Sequence, residues 1–127
     1  MFNHILVSMG AIGVSLGLAV TQVSAHHGWS GQNNNQFELS GTLHRALSMS
    51  GPHAHMQIED KSGQVWDITM GPPSRTQRSG LTAETIPVGA EISIRGNRNS
   101  NPQSYEVKTV RVTFSGKNYD VYPNRIT

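Results

Sequence analysis

Two histidines stand two residues apart in the stretch Gly51-Pro52-His53-Ala54-His55-Met56-Gln57-Ile58. The Gly-Pro pair signals a turn, and after it apolar and polar residues alternate. Because successive side chains of a strand point to opposite faces, one face can join a core while the other presents both imidazoles. Neutral imidazole is the commonest metal ligand in proteins and suits Cu, Zn and Ni. The spacing therefore predicts that His53 and His55 can share one metal ion.

A second pair, His26-His27, follows a signal-peptidase pattern and would begin the mature chain. An N-terminal histidine can chelate through its α-amino group and its ring Nδ1. We expect His26, His27, His53 and His55 to form one site for copper or zinc. The simpler alternative is a flexible polar N-terminus and two exposed strand histidines without a ligand.

Methionine could add soft ligands for Cu(I) at Met49, Met56 and Met70. Met56 and Met70, however, have the parity of the expected core.

The first 25 residues have the pattern of a secretory signal peptide. An apolar run from Ile5 to Val20 precedes the small residues of Val23-Ser24-Ala25. The protein is thus expected to be periplasmic or secreted, with no stable membrane anchor after cleavage. Removing 25 of the 127 residues leaves 102, enough for one domain. We expect a flexible mature N-terminus over 26–35 and a single domain over 36–127.

Composition excludes several function classes. The chain has no cysteine, so disulfides, thiolate metal sites and thiol nucleophiles are ruled out. Its net charge of +2 is not gathered into a Lys/Arg block, and few aromatic residues are available for stacking. These features predict no nucleic-acid partner. In the helical connection, Arg75 and Arg78 are more typical of a solvated face than of an anion site.

Catalysis finds little support in the sequence. No nucleophile elbow, phosphate loop or zinc-protease motif is present. A copper oxygenase built on the N-terminal histidine is disfavoured, because 102 residues leave little surface for an extended substrate.

The alternation of apolar residues predicts five strands and a short sixth. They are Gln36–His44, His53–Glu59, Gln64–Met70, Glu91–Asn97, Tyr105–Phe114 and Tyr119–Tyr122. A short helix is expected over Ser74–Gly80, with Ser74 as its cap and Gly80 as its stop. Three strands, a helix and then further strands indicate an all-β domain with one short helix. The fold class is an OB-like, partly open, five- to six-stranded barrel.

Strand parity also predicts the core. The inward positions are the pairs Phe37/Leu39, Met56/Ile58, Trp66/Ile68, Ile92/Ile94 and Val110/Val112. On the fifth strand, Val107 has the opposite parity to the predicted core pair.

The whole chain resembles a family of small exported bacterial proteins described only as domain of unknown function 6152. The resemblance rests on Ala25-His26-His27, Leu39-Ser40-Gly41-Thr42-Leu43, Pro52-His53, Trp66-Asp67-Ile68, Pro72-Pro73-Ser74-Arg75, Gly80-Leu81-Thr82 and residues 88–96. It implies an exported OB-like barrel and supplies no established activity. The family usually has Asn before the Pro-His pair, where this chain has Gly51.

These observations lead to two hypotheses of different class. The first is a periplasmic, non-enzymatic module that binds copper or zinc through its histidines. The second is a metal-free module of the cell envelope that binds a ligand or another protein. They differ in one measurable respect. Metal binding through histidine weakens as pH falls through about 6.5, whereas the metal-free module is expected to show no such pH dependence.

Overall fold

The computed structural model describes residues 29–127. The elements in chain order are β1 (Gln32–Ser48), β2 (His55–Glu59), β3 (Val65–Thr69), α1 (Pro73–Arg78), β4 (Glu91–Asn99), β5 (Glu106–Phe114) and β6 (Lys117–Asp120), followed by a 3-10 turn at Pro123–Arg125. Among these residues, no helix is long and apolar enough to cross a bilayer.

One six-stranded sheet has the order β3-β2-β1-β4-β5-β6, and an additional pairing joins β3 to β5. This last pairing is parallel and places Asp67, Ile68 and Thr69 opposite Glu106, Val107 and Lys108. It closes strands β1 to β5 into a ring, whereas β6 pairs with β5 alone. The helix lies between β3 and β4 in sequence. The predicted OB-like barrel is thereby confirmed.

The long strand β1 belongs to both halves of the ring, and its pairing changes from β4 to β2 beside Gly41. Thr42 pairs with Glu59 of β2 and also with Glu91 of β4. A Cβ at Gly41 would overlap the Glu59 carbonyl oxygen and lie 2.6 Å from Ile58 Cγ2. Only glycine allows β2 to approach β1 this closely.

The predicted core parities are confirmed on β1 to β4, where Phe37 is partly buried and the other seven named residues are buried, and on β5 Val112 joins the core cluster whereas Val110 does not. One detail of β5 differs from expectation. Arg95 pairs with Arg111 while the next residue of β4, Gly96, pairs with Thr109. The extra residue, Val110, forms a bulge and lies outside the main core cluster, although it is buried. Because the bulge reverses the alternation, Val107 joins the core instead.

Trp66 is the largest side chain of the core and is 6% exposed. Its indole N–H donates to Asp60 Oδ2 over 2.9 Å. Tyr105 meets the ring edge-on with centroids 5.1 Å apart, and the Arg98 guanidinium lies 4.8 Å from its centre. Hydrogen bonds from Ser62 and then from Trp66 lower the pKa of Asp60 from 3.8 to about 2. The ionised carboxylate of Asp60 thus links the β2–β3 turn to the core by hydrogen bonds.

Several boundaries differ from the predictions. Strand β1 begins at Gln32, so only residues 29–31 of the expected irregular segment 26–35 are described and non-strand. The helix begins at Pro73 with Pro72 at the N-cap and no side-chain cap, so Ser74 is not the cap. Gly80 does follow the helix with a positive φ of 104°, as expected of a helix stop. Strand β6 begins at Lys117, because Ser115 and Gly116 alone form the turn.

Candidate functional site

His55 lies at the first position of β2 with its ring exposed on the outer face of the barrel. Its Nδ1 is 3.2 Å from the carbonyl oxygen of His53. A carbonyl oxygen only accepts, so Nδ1 carries the hydrogen, and the lone pair of the neutral ring is on Nε2. Metal-bound histidines are commonly oriented by such a bond from the other ring nitrogen to a backbone carbonyl. The contact with His53 is therefore compatible with metal binding through Nε2 of His55.

His53 lies in the turn before β2 and is half-buried. Ala54, which follows it, exchanges backbone hydrogen bonds of 2.9 Å with Met70 and Gly71, so the turn is fastened to the end of β3. His53 lines a small pocket of about 180 Å³ together with Gln32, Thr69, Met70, Glu106 and Lys108. His55 does not line this pocket, although its strand partner Thr69 does.

The strand register places the start of the described chain beside this pocket. His55 pairs with Thr69, and Thr69 pairs with Lys108 on β5. The Lys108 ammonium lies 4.7 Å from the ring centre of Trp29, the first described residue. His26 and His27 precede Trp29 and lie outside the described residues. The single four-histidine site therefore stays a prediction.

The charges around the pocket are mixed. Lys108 is only 5% exposed, and burial, followed by the charge of Arg125, lowers its pKa, whereas Glu106 acts in the opposite direction. Gln32 Nε2 donates to Glu106 Oε1 over 3.2 Å. Within residues 29–127, no group of three or more His, Asp or Glu side chains is placed to hold a metal ion. A complete metal site would need ligands in addition to His53 and His55.

The methionines suggested as soft ligands are placed elsewhere. Met56 and Met70 are 2% and 0% exposed within the core, and Met49 packs against it. Met56 and Met70 thus follow their core parity and are not available on the outer face.

A cluster of aromatic and basic side chains covers Lys108, and sequence reasoning did not find it. Trp29 meets Tyr122 edge-on with ring centroids 5.1 Å apart. Arg125 lies 4.3 Å from the ring centre of Trp29, and Arg75 lies 4.8 Å from that of Tyr122. Arg75 is thus held against a ring and is not a purely solvated side chain. Because these residues come from separate parts of the chain, no local spacing indicates their contact.

The closed five-strand ring, with a helix between the third and fourth strands, defines an OB-like barrel. The sequence itself shows which family the chain belongs to. Residues 15–107 match the model of the family of unknown function DUF6152, and the chain belongs to that family. No curated protein matches the sequence.

Three solved structures are similar in fold. The Stn1-ten1 complex of S. pombe is 17% identical, with 61% of this chain and 56% of that chain covered and a TM-score of 0.48. The mitochondrial single-stranded DNA binding protein Rim1 of S. cerevisiae is 8% identical, with coverage of 64% and 92% and a TM-score of 0.49. The small single-stranded DNA-binding protein of Streptomyces coelicolor is 14% identical, with coverage of 65% and 94% and a TM-score of 0.48. The chain thus spans about half the length of the Stn1-ten1 chain that it matches.

These structures correct one expectation. The absence of a nucleic-acid partner was predicted from the dispersed charge and the few aromatic residues. Proteins named for binding single-stranded DNA nevertheless have this fold, so the prediction of no nucleic acid is wrong. Dispersed charge is a poor criterion here because the fold gathers Arg75, Lys108 and Arg125 around two rings.

Proposed function

We propose that this protein is an exported, periplasmic and non-enzymatic module that binds copper or zinc. The ligands are His53 and His55 from the strand end and His26 and His27 from the start of the mature chain. The observation that carries the proposal is the hydrogen bond from His55 Nδ1 to the His53 carbonyl oxygen. This bond is compatible with metal binding through the exposed Nε2 of His55, and such bonds commonly orient metal-bound histidines.

Chain reach supports a shared site. Two strand spacings, about 10 Å, separate β2 at His55 from β5 at Lys108, and Trp29 packs on Lys108. Two or three residues of extended chain span at most about 7–11 Å. His27 and His26 are therefore near enough in sequence to Trp29 to meet the strand histidines.

The chemistry of the site supports an ion as the ligand. A pocket of about 180 Å³ is smaller than the roughly 300–1,000 Å³ of typical small-molecule sites. With no cysteine in the chain, the ligand set is mainly imidazole, which suits Cu(II) and Zn(II). Glu106 beside the pocket offsets the positive charge of Lys108.

The test is a calorimetric titration of Cu(II) and Zn(II) into the chain that begins at His26. His55→Ala should weaken binding at least about tenfold, because it removes one oriented ligand. His44→Ala is the matched control: His44 is also an exposed strand histidine, but it faces Glu59 at 3.4 Å, away from the pocket. Its loss should leave the affinity unchanged.

Two further measurements separate a shared site from independent ones. Affinity should fall as pH drops from about 7.5 to 5.5, since protonated imidazole cannot bind a metal. Replacing both histidine pairs should be no worse than replacing one pair, because residues on one ion are not additive. If His55→Ala leaves the metal affinity unchanged, the strand site is wrong, and a metal-free binding module becomes the better proposal.

A further inference from the structure

A second pocket, of about 330 Å³, is lined mainly by side-chain amides. It lies where the first residues of β1 meet the end of β4 and the 3-10 turn. Its amide-bearing walls come from Asn33, Asn34, Gln36, Asn97 and Asn124, and its charged side chain is that of Arg125. None of the described histidines lines this pocket.

A bulge in β1 creates the pocket. Gln32 pairs with Asn99 and Gln36 pairs with Asn97, so four residue steps of β1 face two steps of β4. The surplus residues belong to the run Asn33-Asn34-Asn35, which must leave the regular ladder. Bulges re-aim side chains and are frequent beside functional sites. Here the bulge turns two asparagines toward the pocket.

Hydrogen bonds hold the walls in place and leave some amides unused. Asn97 Nδ2 donates to the Asn33 carbonyl oxygen over 2.7 Å. The Gln36 amide donates to the Arg125 carbonyl oxygen and accepts from the Thr127 N–H. Within residues 29–127, the exposed side-chain amides of Asn34 and Asn124 make no hydrogen bond. The walls are thus linked by hydrogen bonds, while the rim offers unused donors and acceptors.

Among the described residues, Arg125 supplies the one charged side chain that lines the pocket, beside Thr127, whose main-chain oxygen accepts from Arg95 Nε over 2.6 Å. No Asp or Glu of the described residues lines it, and Arg125 makes no ion pair with any described side chain. The guanidinium of Arg125 is held 4.3 Å from the Trp29 ring centre, so it is oriented without being neutralised. A fixed guanidinium recognises a carboxylate, sulfate or phosphate group, and amides hydrogen-bond hydroxyl groups.

We propose that this pocket binds an acidic saccharide: the amides bind its hydroxyl groups and Arg125 binds its anionic group. A nucleotide fits less well, because a base needs an open aromatic face on which to stack. Trp29, the aromatic residue among the described ones that lines the pocket, already contacts Lys108, Arg125 and Tyr122.

The test uses trigalacturonate as the probe, with maltotriose as its neutral counterpart and an oligo(dT) of eight nucleotides as a third ligand. Binding to the chain from His26 is measured by calorimetry and by amide chemical shifts. Trigalacturonate should bind and maltotriose should bind at least about tenfold more weakly, as expected when one charge-assisted hydrogen bond is lost. Shift changes should centre on residues 33–36 and 124–127.

Matched variants keep the test specific. Arg125→Gln should weaken trigalacturonate binding about tenfold. Arg125→Lys should restore part of the affinity, since lysine supplies the positive charge but not the paired N–H donors of the guanidinium. Asn34→Ala should weaken binding, whereas Asn35→Ala should not, because Asn35 is an exposed neighbour of the same type that does not line the pocket. Unchanged spectra elsewhere in these variants show that the fold is intact.

Three results would overturn the proposal. One is the absence of trigalacturonate binding at millimolar concentration. Another is equal binding of maltotriose, which would mean that Arg125 is not used. The last is binding of oligo(dT) that depends on Arg125 and Asn34 while trigalacturonate fails, which would assign the pocket to single-stranded nucleic acid.

Discussion

Replacing Trp66 by alanine tests the packing of the barrel most directly. The ring is 6% exposed, so nearly all of its roughly 150–250 Å² is removed from water. At about 25 cal/mol per Å², the transfer contribution alone is about 4–6 kcal/mol. The methyl group of the substituted alanine still covers part of that area, and measured losses for buried Trp→Ala changes are about 3–5 kcal/mol. We expect a loss of about 4 kcal/mol.

The assay is urea unfolding followed by far-UV circular dichroism at neutral pH. Because small domains have total stabilities of about 5–15 kcal/mol, Trp66→Ala should move the midpoint strongly without changing the m-value. Trp66→Phe keeps an aromatic ring but removes the N–H that donates to Asp60, so its loss should be smaller, about 1–2 kcal/mol. A loss under about 1 kcal/mol for Trp66→Ala would refute the assigned parity of β3.

Three other predictions concern Gly41, the turn and the chain start. Gly41→Ala should cost about 1–3 kcal/mol in urea unfolding because its Cβ overlaps a backbone oxygen. Gly31→Ala, which has open space around it, should be near neutral, and equal effects would reject the close-approach argument. The pKa of Asp60 falls to about 2 on folding from 3.8, so its contribution to stability is present above about pH 4 and lost toward pH 2. In thermal melts, Asp60→Asn should reduce the loss of stability between about pH 4 and pH 2. An unchanged loss would contradict the lowered pKa of Asp60. Intact-mass measurement of exported protein should show His26 as the first residue, and any other start removes the N-terminal half of the metal site.

The alternation of apolar residues predicted the strands of the ring because it is regular where one face is buried. It failed at the start of β1, where Gln32 to Asn35 are polar on both faces and the strand is held by pairing with β4. It also failed to explain Val107, because a bulge is defined by the partner strand as well as by its own sequence.

The candidate sites were predictable only where they are local. His53 and His55 lie on one short stretch, and parity and the Gly-Pro turn placed His55 correctly on β2, whereas His53, predicted as the first strand residue, lies in the turn before it. The contacts of Trp29 with Lys108 and Arg125 join residues about 80 to 96 positions apart, and no spacing rule reaches that far. The asparagine run was visible in the sequence, but its meaning required the β4 register.

The parallel pairing of β3 with β5 affects the order in which the parts of the barrel form during folding. Asp67 and Glu106 are 39 residues apart in sequence, whereas β2 and β3 form a hairpin across a short turn. Long-range closures are slow, and small barrels of this kind fold in milliseconds to seconds. The hairpin that carries His55 and Thr69 can therefore form before Lys108 arrives. The pocket between them is completed only at closure, so a refolding chain forms the hairpin early and the pocket last.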